Sequence, residues 1–316
     1  MSEHPRLTIC TVSFKHESLI RLNLDLMESL NPSLASQARW IIADNAIDST
    51  ENGLAITHPA IEIRAGSRDT SAGASQHHAL ALNTLVETVD TRYLLVLDPD
   101  FYLLQPDWIN RVIGHMQQRG LAFFGAPWHP RYNRNYRYFP AVHCMFVDLD
   151  VIPRETLDFQ PRLDLVDAPV KRAGPLDLIG VFARRKRIPW DTGVRVFEQF
   201  GGHNDIASEC VKPVYREGLN NAGSLSTRLL ERILPDTYCY FPKRRDSYLR
   251  TGFHEAGLAP APLPNLWEET YWQDQPFGLH VRRSYGATSR DDERERSLLT
   301  ETLATLTAKC RRGGHE

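Results

Sequence analysis

Several features that mark common protein classes are missing from this sequence. No apolar run approaches the roughly 18 residues that a membrane-spanning helix needs. The five cysteines are widely spaced and include no CxxC pair, which argues against both a zinc ribbon and a disulfide scaffold. The first ten residues, MSEHPRLTIC, lack a signal-peptide pattern. These absences together lead us to expect a cytoplasmic protein.

An excess of positive charge is also missing. The 316 residues carry a formal net charge of −2, with 24% charged and 42% hydrophobic side chains. Proteins that bind nucleic acid through bulk electrostatics are usually strongly basic, so we expect no nucleic-acid partner. The length suffices for one large domain or two small ones.

The most informative stretch is YLLVLDPD, residues 93 to 100. The run from Tyr93 to Leu97 is apolar throughout, which predicts a strand buried on both faces, as in a parallel sheet. Asp98 and Asp100 follow at the strand's carboxyl end, where open α/β sheets bind ligands. Two carboxylates this close repel each other unless a cation lies between them, and Mg²⁺ or Mn²⁺ is the natural occupant. The alternative is an ordinary strand-to-helix turn, because Asp-Pro-Asp is also good turn chemistry.

Strand and helix patterns alternate over residues 7 to 125, which predicts a parallel, Rossmann-like α/β sheet. Beyond residue 125 the alternation loosens. Residues 141 to 152 have the composition of a further strand, which could pair in the antiparallel direction. Residues 291 to 312 have the leucine spacing of an amphipathic helix.

Four landmarks in this order resemble the nucleotide-binding half of a GT-A glycosyltransferase: LTICTVSFKHE, WIIADNAID, the Gly/Ser loop with its helix, and YLLVLDPD. This sequence pattern is most similar to that of glycosyltransferase family 2, the bacterial nucleotide-sugar-dependent sugar transferases. The resemblance implies a GT-A fold, a nucleotide-sugar donor, Mn²⁺ or Mg²⁺ at Asp98 and Asp100, and a saccharide or lipid-linked acceptor. It also implies that Thr11, Ser13 and Asp44 hold the nucleoside.

The same resemblance suggests a division of the chain. Residues 1 to 125 would form the donor-binding half, residues 126 to 290 an appended acceptor-binding and catalytic half, and residues 291 to 316 a terminal helix and tail. No linker composition separates the first two parts.

The residues around the expected nucleotide leave alternatives open. Asp44 could accept a hydrogen bond from a base or ribose, or form an Asx-turn with Asn45. The helix after the third strand usually presents a basic or amide residue to the nucleotide, and here the candidates are His77, with His78 beside it, and Arg68 upstream. Adjacent helical side chains point about 100° apart, so the two histidines are not expected to ligate one metal ion together.

Inverting sugar transfer needs a carboxylate that deprotonates the acceptor hydroxyl. Asp191 is the best candidate, because it lies between Trp190, which could stack on a sugar, and a turn that opens the helical segment VRVFEQF. The structural alternative is that Asp191 caps this helix. Glu198, Asp205 and Glu209 are competing candidates for the base.

The late segment FGLHVRR resembles the element that completes the metal site in some GT-A enzymes. His280 would then be a third metal ligand, and imidazole is acceptable to Mn²⁺. Arg282 or Arg283 would neutralise the departing diphosphate, since guanidinium pairs well with phosphate. The alternative is a short strand with one buried histidine.

Two further segments bear on the acceptor. Residues 129 to 140 mix aromatic residues with arginines and fit an acceptor lid better than a nucleic-acid platform. The basic run at 184 to 187 is most often a solvated face, but it could contact anionic lipid at the inner membrane surface.

Two other functions remain open from the sequence. A sugar-phosphate nucleotidyltransferase would also place carboxylates at the edge of a related sheet. The other is a carbohydrate-binding protein without catalytic activity.

Overall fold

The computed structural model describes most of the chain in eight ranges. The described residues are 5–45, 53–67, 73–129, 137–163, 191–215, 248–264, 267–282 and 289–313.

The described residues form eleven strands and six α-helices. The strands are β1 Leu7–Ser13, β2 Ala38–Asp44, β3 Ile61–Ala65, β4 Tyr93–Leu97, β5 Phe101–Leu103, β6 Phe123–Trp128, β7 Arg137–Asp148, β8 Ser208–Cys210, β9 Lys212–Pro213, β10 Trp267–Trp272 and β11 Gln275–Val281. The helices are α1 Glu17–Leu30, α2 Leu34–Gln37, α3 Ala74–Val86, α4 Trp108–Arg119, α5 Val194–Phe200 and α6 Ser289–Gly313. A 3₁₀ turn, Arg154–Thr156, lies between β7 and α5.

Seven strands form one sheet in the order β3-β2-β1-β4-β7-β6-β8. Adjacent strands in this sheet pair in parallel except at β7, which runs antiparallel to both β4 and β6. The α/β fold with a mostly parallel central sheet, predicted from the alternating pattern, is therefore confirmed. The strand expected at 141 to 152 is present as β7, which begins and ends about four residues earlier, and it pairs in the antiparallel direction.

Helices cover both faces of this sheet, so the core has two layers. One apolar cluster combines the inward residues of β1, β2 and β4 with α1 and α4. The other combines the opposite faces of the same strands with α3 and α5. All five residues of β4 are buried, as expected for a strand covered on both sides.

The smaller sheet, β5-β11-β10-β9, positions the candidate site. Strand β4 belongs to the large sheet and β5 to the small one, and only Asp98, Pro99 and Asp100 connect them. The turn is held from both sides. The backbone N–H of Asp98 donates to the carbonyl of His143, and the buried amide of Asn23 donates to the carbonyl of Phe101 over 2.8 Å. The two acids therefore lie where the two sheets meet.

The large sheet continues across residue 125, because β7 pairs with β4 on one side and β6 on the other. This agrees with the absence of a linker in the sequence. The donor-half and acceptor-half division remains a proposal. No helix within the described ranges is both long and apolar enough to cross a membrane.

Candidate active site

Asp98 and Asp100 lie at the carboxyl end of β4, partly buried, with side chains about a quarter exposed. Burial raises the pKa of Asp98, and the charge of Asp100 adds to this, while His78 opposes it. Burial would also raise the pKa of Asp100, but the charge of His280 and its hydrogen bond outweigh burial and lower it. The charge of His280 thus favours the ionised form of Asp100, whereas burial disfavours the ionised form of Asp98.

His280 joins the two acids through strand pairing. In the small sheet, His280 on β11 lies opposite Phe101 on β5, and the Val281 N–H donates to the Asp100 carbonyl. His280 Nε2 is 3.4 Å from Asp100 Oδ1. The late histidine therefore lies beside the paired acids, and its role as a metal ligand stays a prediction.

Glu268 holds the other nitrogen of the same ring. It lies directly opposite His280 on β10, and its Oε2 is 2.7 Å from His280 Nδ1. Its Oε1 lies 3.2 Å from Arg282 Nε, which places Arg282 beside the cluster. Burial would raise the pKa of Glu268, but Arg282 and His280 together bring it well below its usual range. Burial would likewise lower the pKa of His280, yet Asp100 and Glu268 raise it to about 9.

The ligand atoms of Asp98, Asp100 and His280 all lie within 4.8 Å of one another. Two carboxylates and one imidazole form a ligand set that suits Mn²⁺. The two carboxylates also suit Mg²⁺, which prefers oxygen ligands. A metal-bound histidine usually donates its other N–H to a carboxylate, and Glu268 is placed to accept it. The residues present therefore fit a divalent cation.

His143 on β7 packs against the back of this cluster. Its ring stacks on His280 with centroids 4.6 Å apart and an interplanar angle of 18°, and Phe101 lies 5.7 Å from it. Burial and the nearby charge of His280 hold the pKa of His143 well below its usual range. His143 and Glu268 could also share a cation with His280, and the ligand atoms of these three buried residues again lie within 4.8 Å.

Asp191 forms a neighbouring ion pair. Its Oδ2 is 3.1 Å from Arg137 Nη1, and the guanidinium of Arg137 lies over the Phe197 ring at 4.9 Å. Burial raises the pKa of Asp191 to about 6, while Arg137 and Arg282 oppose the rise. The charge of Asp98 adds slightly to the rise.

The helix-capping alternative for Asp191 does not hold. The N-cap of α5 is Gly193, whose φ of +81° lies in the left-handed region that favours glycine. Asp191 lies before this cap and directs its carboxylate to Arg137. The competing acids are engaged elsewhere or exposed: Glu198 pairs with Arg162, Glu209 pairs with His115, and Asp205 is exposed.

Trp128 lies beside the ion pair of Asp191 and Arg137. Trp128 ends β6 and is 8% exposed. The Arg282 guanidinium lies 4.9 Å from its ring centroid and that of Arg137 lies 6.0 Å away. Trp128 thus links Arg282, at the expected diphosphate position, to Arg137 at the candidate base.

The expected nucleoside residues have partners inside the protein. The Thr11 hydroxyl accepts a hydrogen bond from the Trp40 indole N–H over 2.9 Å, and both Thr11 and Ser13 are fully buried. Asp44 is partly exposed, and its Oδ2 accepts from the backbone N–H of Leu54 over 3.0 Å. This contact is not the Asx-turn with Asn45 that the sequence left open. The nucleoside-binding role of these three residues stays a prediction.

His78 faces the acidic residues, and not the adjacent His77 that the sequence analysis put first. His77 is buried, and its ring contacts the carbonyl of Ser67. His78 Nε2 instead lies 3.7 Å from Asp98 Oδ1. The helical rotation of about 100° per residue separates the two rings, and the pattern alone did not decide which one turns toward the site. Arg68, Arg283 and the basic run at 184 to 187 lie outside the described residues, as does most of the 129 to 140 segment.

Three residues of the cluster were missed by the sequence reasoning: Glu268, His143 and Arg137. A signal existed for Glu268, because two acids interrupt the aromatic-rich segment WEETYW, and a buried strand rarely carries a charge without a partner. His143 likewise interrupts the apolar strand β7. Arg137 belongs to the 129 to 140 segment expected to form an acceptor lid, but nothing in the sequence indicates its pairing with Asp191.

No known family model matches the sequence, and no curated protein is significantly similar to it in sequence. Many solved structures show partial similarity in fold, and three of them serve as examples. The mannosyltransferase PcManGT from Pyrobaculum calidifontis, in complex with GDP-Man and Mn²⁺, is 14% identical, with a TM-score of 0.41 over 68% of this chain. The galactosyltransferase LgtC, with donor and acceptor sugar analogues, is 9% identical, with a TM-score of 0.38 over 65% of this chain and 73% of its own. TarS from S. aureus, residues 1–349 with UDP-GlcNAc, is 9% identical, with a TM-score of 0.35 over 72% of this chain and 66% of its own. The similarity spans 59% of the mannosyltransferase chain.

Proposed function

We propose that this chain is a divalent-metal-dependent glycosyltransferase that moves a sugar from a nucleotide-diphosphate sugar to a saccharide or lipid-linked saccharide acceptor. The observation that carries the proposal is the meeting of Asp98, Asp100 and His280 where the two sheets join. Carboxylates at the edge of an α/β sheet with an imidazole beside them suit a cation that holds a diphosphate. Mn²⁺ or Mg²⁺ is the proposed cofactor.

The bound cation would neutralise the diphosphate and so help it to leave as the sugar is transferred. Asp100 and His280 would hold the cation, and Asp98 would complete the set or contact the ribose through water. Arg282 lies beside the cluster and would pair with the diphosphate oxygens, a geometry that guanidinium groups favour.

Asp191 is the proposed general base. A buried carboxylate with a pKa of about 6 is ionised near neutral pH and still basic enough to take a proton from an acceptor hydroxyl. Its contact with Arg137 fixes its orientation. Base catalysis of this kind produces inversion at the sugar, so we propose an inverting reaction.

The partners are inferred from the same arrangement. Arg282 and Arg137 lie around the buried ring of Trp128 next to the candidate base, so we propose that the acceptor sugar binds on this side of the site. We propose assembly of a surface polysaccharide or glycoconjugate as the process. A cytoplasmic location and contact with the inner membrane surface through residues 184 to 187 are further proposals that rest on the sequence.

Incubation with a panel of nucleotide sugars and Mn²⁺ tests the proposal. Release of a nucleoside diphosphate that requires both metal and acceptor supports glycosyl transfer. Release of pyrophosphate from a nucleoside triphosphate and a sugar phosphate would indicate a nucleotidyltransferase instead. Sugar binding without product release of either kind would indicate a carbohydrate-binding protein.

A further inference from the structure

Glu268 is an unusual residue to find at the centre of a sheet. It is 2% exposed, on the middle part of the small sheet, and both of its oxygens have cationic partners. A buried carboxylate costs several kcal/mol of free energy unless it is paired and hydrogen-bonded. The neighbours of such a residue therefore have to supply positive charge and hydrogen-bond donors. Its neighbours here are His280 and Arg282, the residues proposed to meet the metal ion and the diphosphate.

The contact with Glu268 determines the orientation of the His280 ring. Because Nδ1 donates to Glu268 over 2.7 Å, the other ring nitrogen, Nε2, is the one that faces Asp100. The plane of the ring is fixed separately, since His143 stacks on it and Phe101 packs at 5.8 Å. Glu268 therefore controls which edge of the ring is turned to the acids.

We propose that Glu268 is a positioning residue that organises the metal site. It holds His280 with Nε2 directed to the cation and, through its second oxygen, holds Arg282 beside the diphosphate. This inference rests on the proposed function, because it assumes that a divalent cation binds Asp98, Asp100 and His280. It goes beyond that function by assigning a role to a residue that is not among the three proposed ligands.

Loss of a carboxylate that supports a metal-bound histidine typically weakens metal binding by roughly 10- to 100-fold. We expect that loss of Mn²⁺ affinity for Glu268→Gln, measured on the full chain by electron paramagnetic resonance of free Mn²⁺. Glu268→Asp keeps the charge but draws the carboxylate back from Nδ1, so it should weaken binding as well. Thermal unfolding without metal checks that each variant is folded.

Glu269→Gln is the matched control. Glu269 is the next residue on β10 and is also buried, but its carboxylate contacts the backbone N–H of Phe253, and it pairs with Leu279 rather than His280 across the strands. This variant also removes one buried negative charge, yet it should leave Mn²⁺ affinity unchanged. An equal loss in Glu269→Gln would show that charge alone matters and would overturn the inference.

A double-mutant cycle separates positioning from long-range charge. If Glu268 acts through His280, then Glu268→Gln should cause no further loss of Mn²⁺ affinity in a His280→Ala background. A full, additive loss in that background would overturn the inference, as would unchanged affinity in Glu268→Gln or in Glu268→Asp.

The same titrations distinguish failure of the metal site from failure of the role of Glu268. Wild-type protein that binds no Mn²⁺ would overturn the proposed metal site together with this inference. Wild-type protein that binds Mn²⁺ and loses it in His280→Ala, but keeps it in Glu268→Gln, would overturn only the role of Glu268.

Discussion

His280 and Glu268 face each other across two paired strands, with 2.7 Å between Nδ1 and Oε2. The other nitrogen of this ring, Nε2, lies 3.4 Å from Asp100 Oδ1. One imidazole therefore connects a buried carboxylate in the small sheet to the acids at the end of β4. The proposed metal site depends on this connection between the two sheets.

The first prediction concerns the paired acids. Asp100→Ala should abolish the dependence of nucleoside diphosphate binding on Mn²⁺, because a principal ligand is lost, whereas Asp98→Ala should only weaken it. Calorimetric titration with and without Mn²⁺ measures the difference. Asp90→Ala is the control, since Asp90 is an exposed acid that pairs with Arg39 at 3.5 Å on the surface. Unchanged metal dependence in Asp100→Ala would rule out the site.

A second prediction separates the candidate base from the metal ligand. Asp191→Asn removes the proton acceptor but keeps the size of the side chain, so transfer should fall by roughly 10² to 10⁴ while donor affinity stays nearly constant. His280→Ala should reduce donor affinity and turnover together, with partial recovery at high Mn²⁺.

Glu198→Gln serves as the control for Asp191→Asn, because Glu198 is an alternative base that pairs with Arg162 at 2.6 Å. Transfer should be close to wild type in this variant. If Asp191→Asn instead loses donor binding as severely as His280→Ala, Asp191 is structural and the base must be another residue.

The third prediction is a pH dependence. Asp191 can accept a proton only when it is ionised, and its pKa is about 6. The value of kcat/KM, which reports the free enzyme, should therefore fall as the pH drops below about 6. Arg137 lowers this pKa, so in Arg137→Gln the pKa should rise and the decline should begin at a higher pH.

The control for the pH profile is Arg162→Gln, which removes an arginine that pairs with Glu198. Its acid limb should coincide with that of the wild type. An acid limb that is the same in all three proteins would show that Asp191 does not control it.

A fourth prediction concerns the packing beneath the site. A Cβ at Gly278 would lie 2.5 Å from Phe101 Cζ, and Phe101 packs against His143 and His280. Gly278→Ala should therefore destabilise the protein by about 1–3 kcal/mol, the usual cost of overpacking. In Gly114→Ala, on α4, a Cβ meets nothing within 4 Å, so this variant should be slightly more stable than wild type. Thermal unfolding measures both, and equal effects of the two changes would contradict the packing argument.

The fold was largely predictable because its signals are local. The apolar run of β4 and the amphipathic pattern of α4 each depend on residues within one element, and both elements are present. The site was predictable only in part. Asp98 and Asp100 follow a recognisable strand, and His280 was found through the resemblance of its segment to a known family.

What could not be predicted depends on contacts between distant segments. Nothing local places β11 between β5 and β10, so the position of Glu268 opposite His280 was not accessible from the pattern. The choice between His77 and His78 depends on the rotation of α3 against the sheet, and Arg137 approaches Asp191 only in the folded chain.

The most direct test of the proposed metal site is a crystal of the full chain grown with Mn²⁺ and a nucleoside diphosphate, with anomalous scattering recorded for manganese. We predict one strong anomalous peak within direct ligand distance of the Asp100 carboxylate and His280 Nε2, with Asp98 beside it and the diphosphate on its open side. A nucleotide bound with no manganese peak at these residues, or a peak at another place in the molecule, would contradict the proposed site.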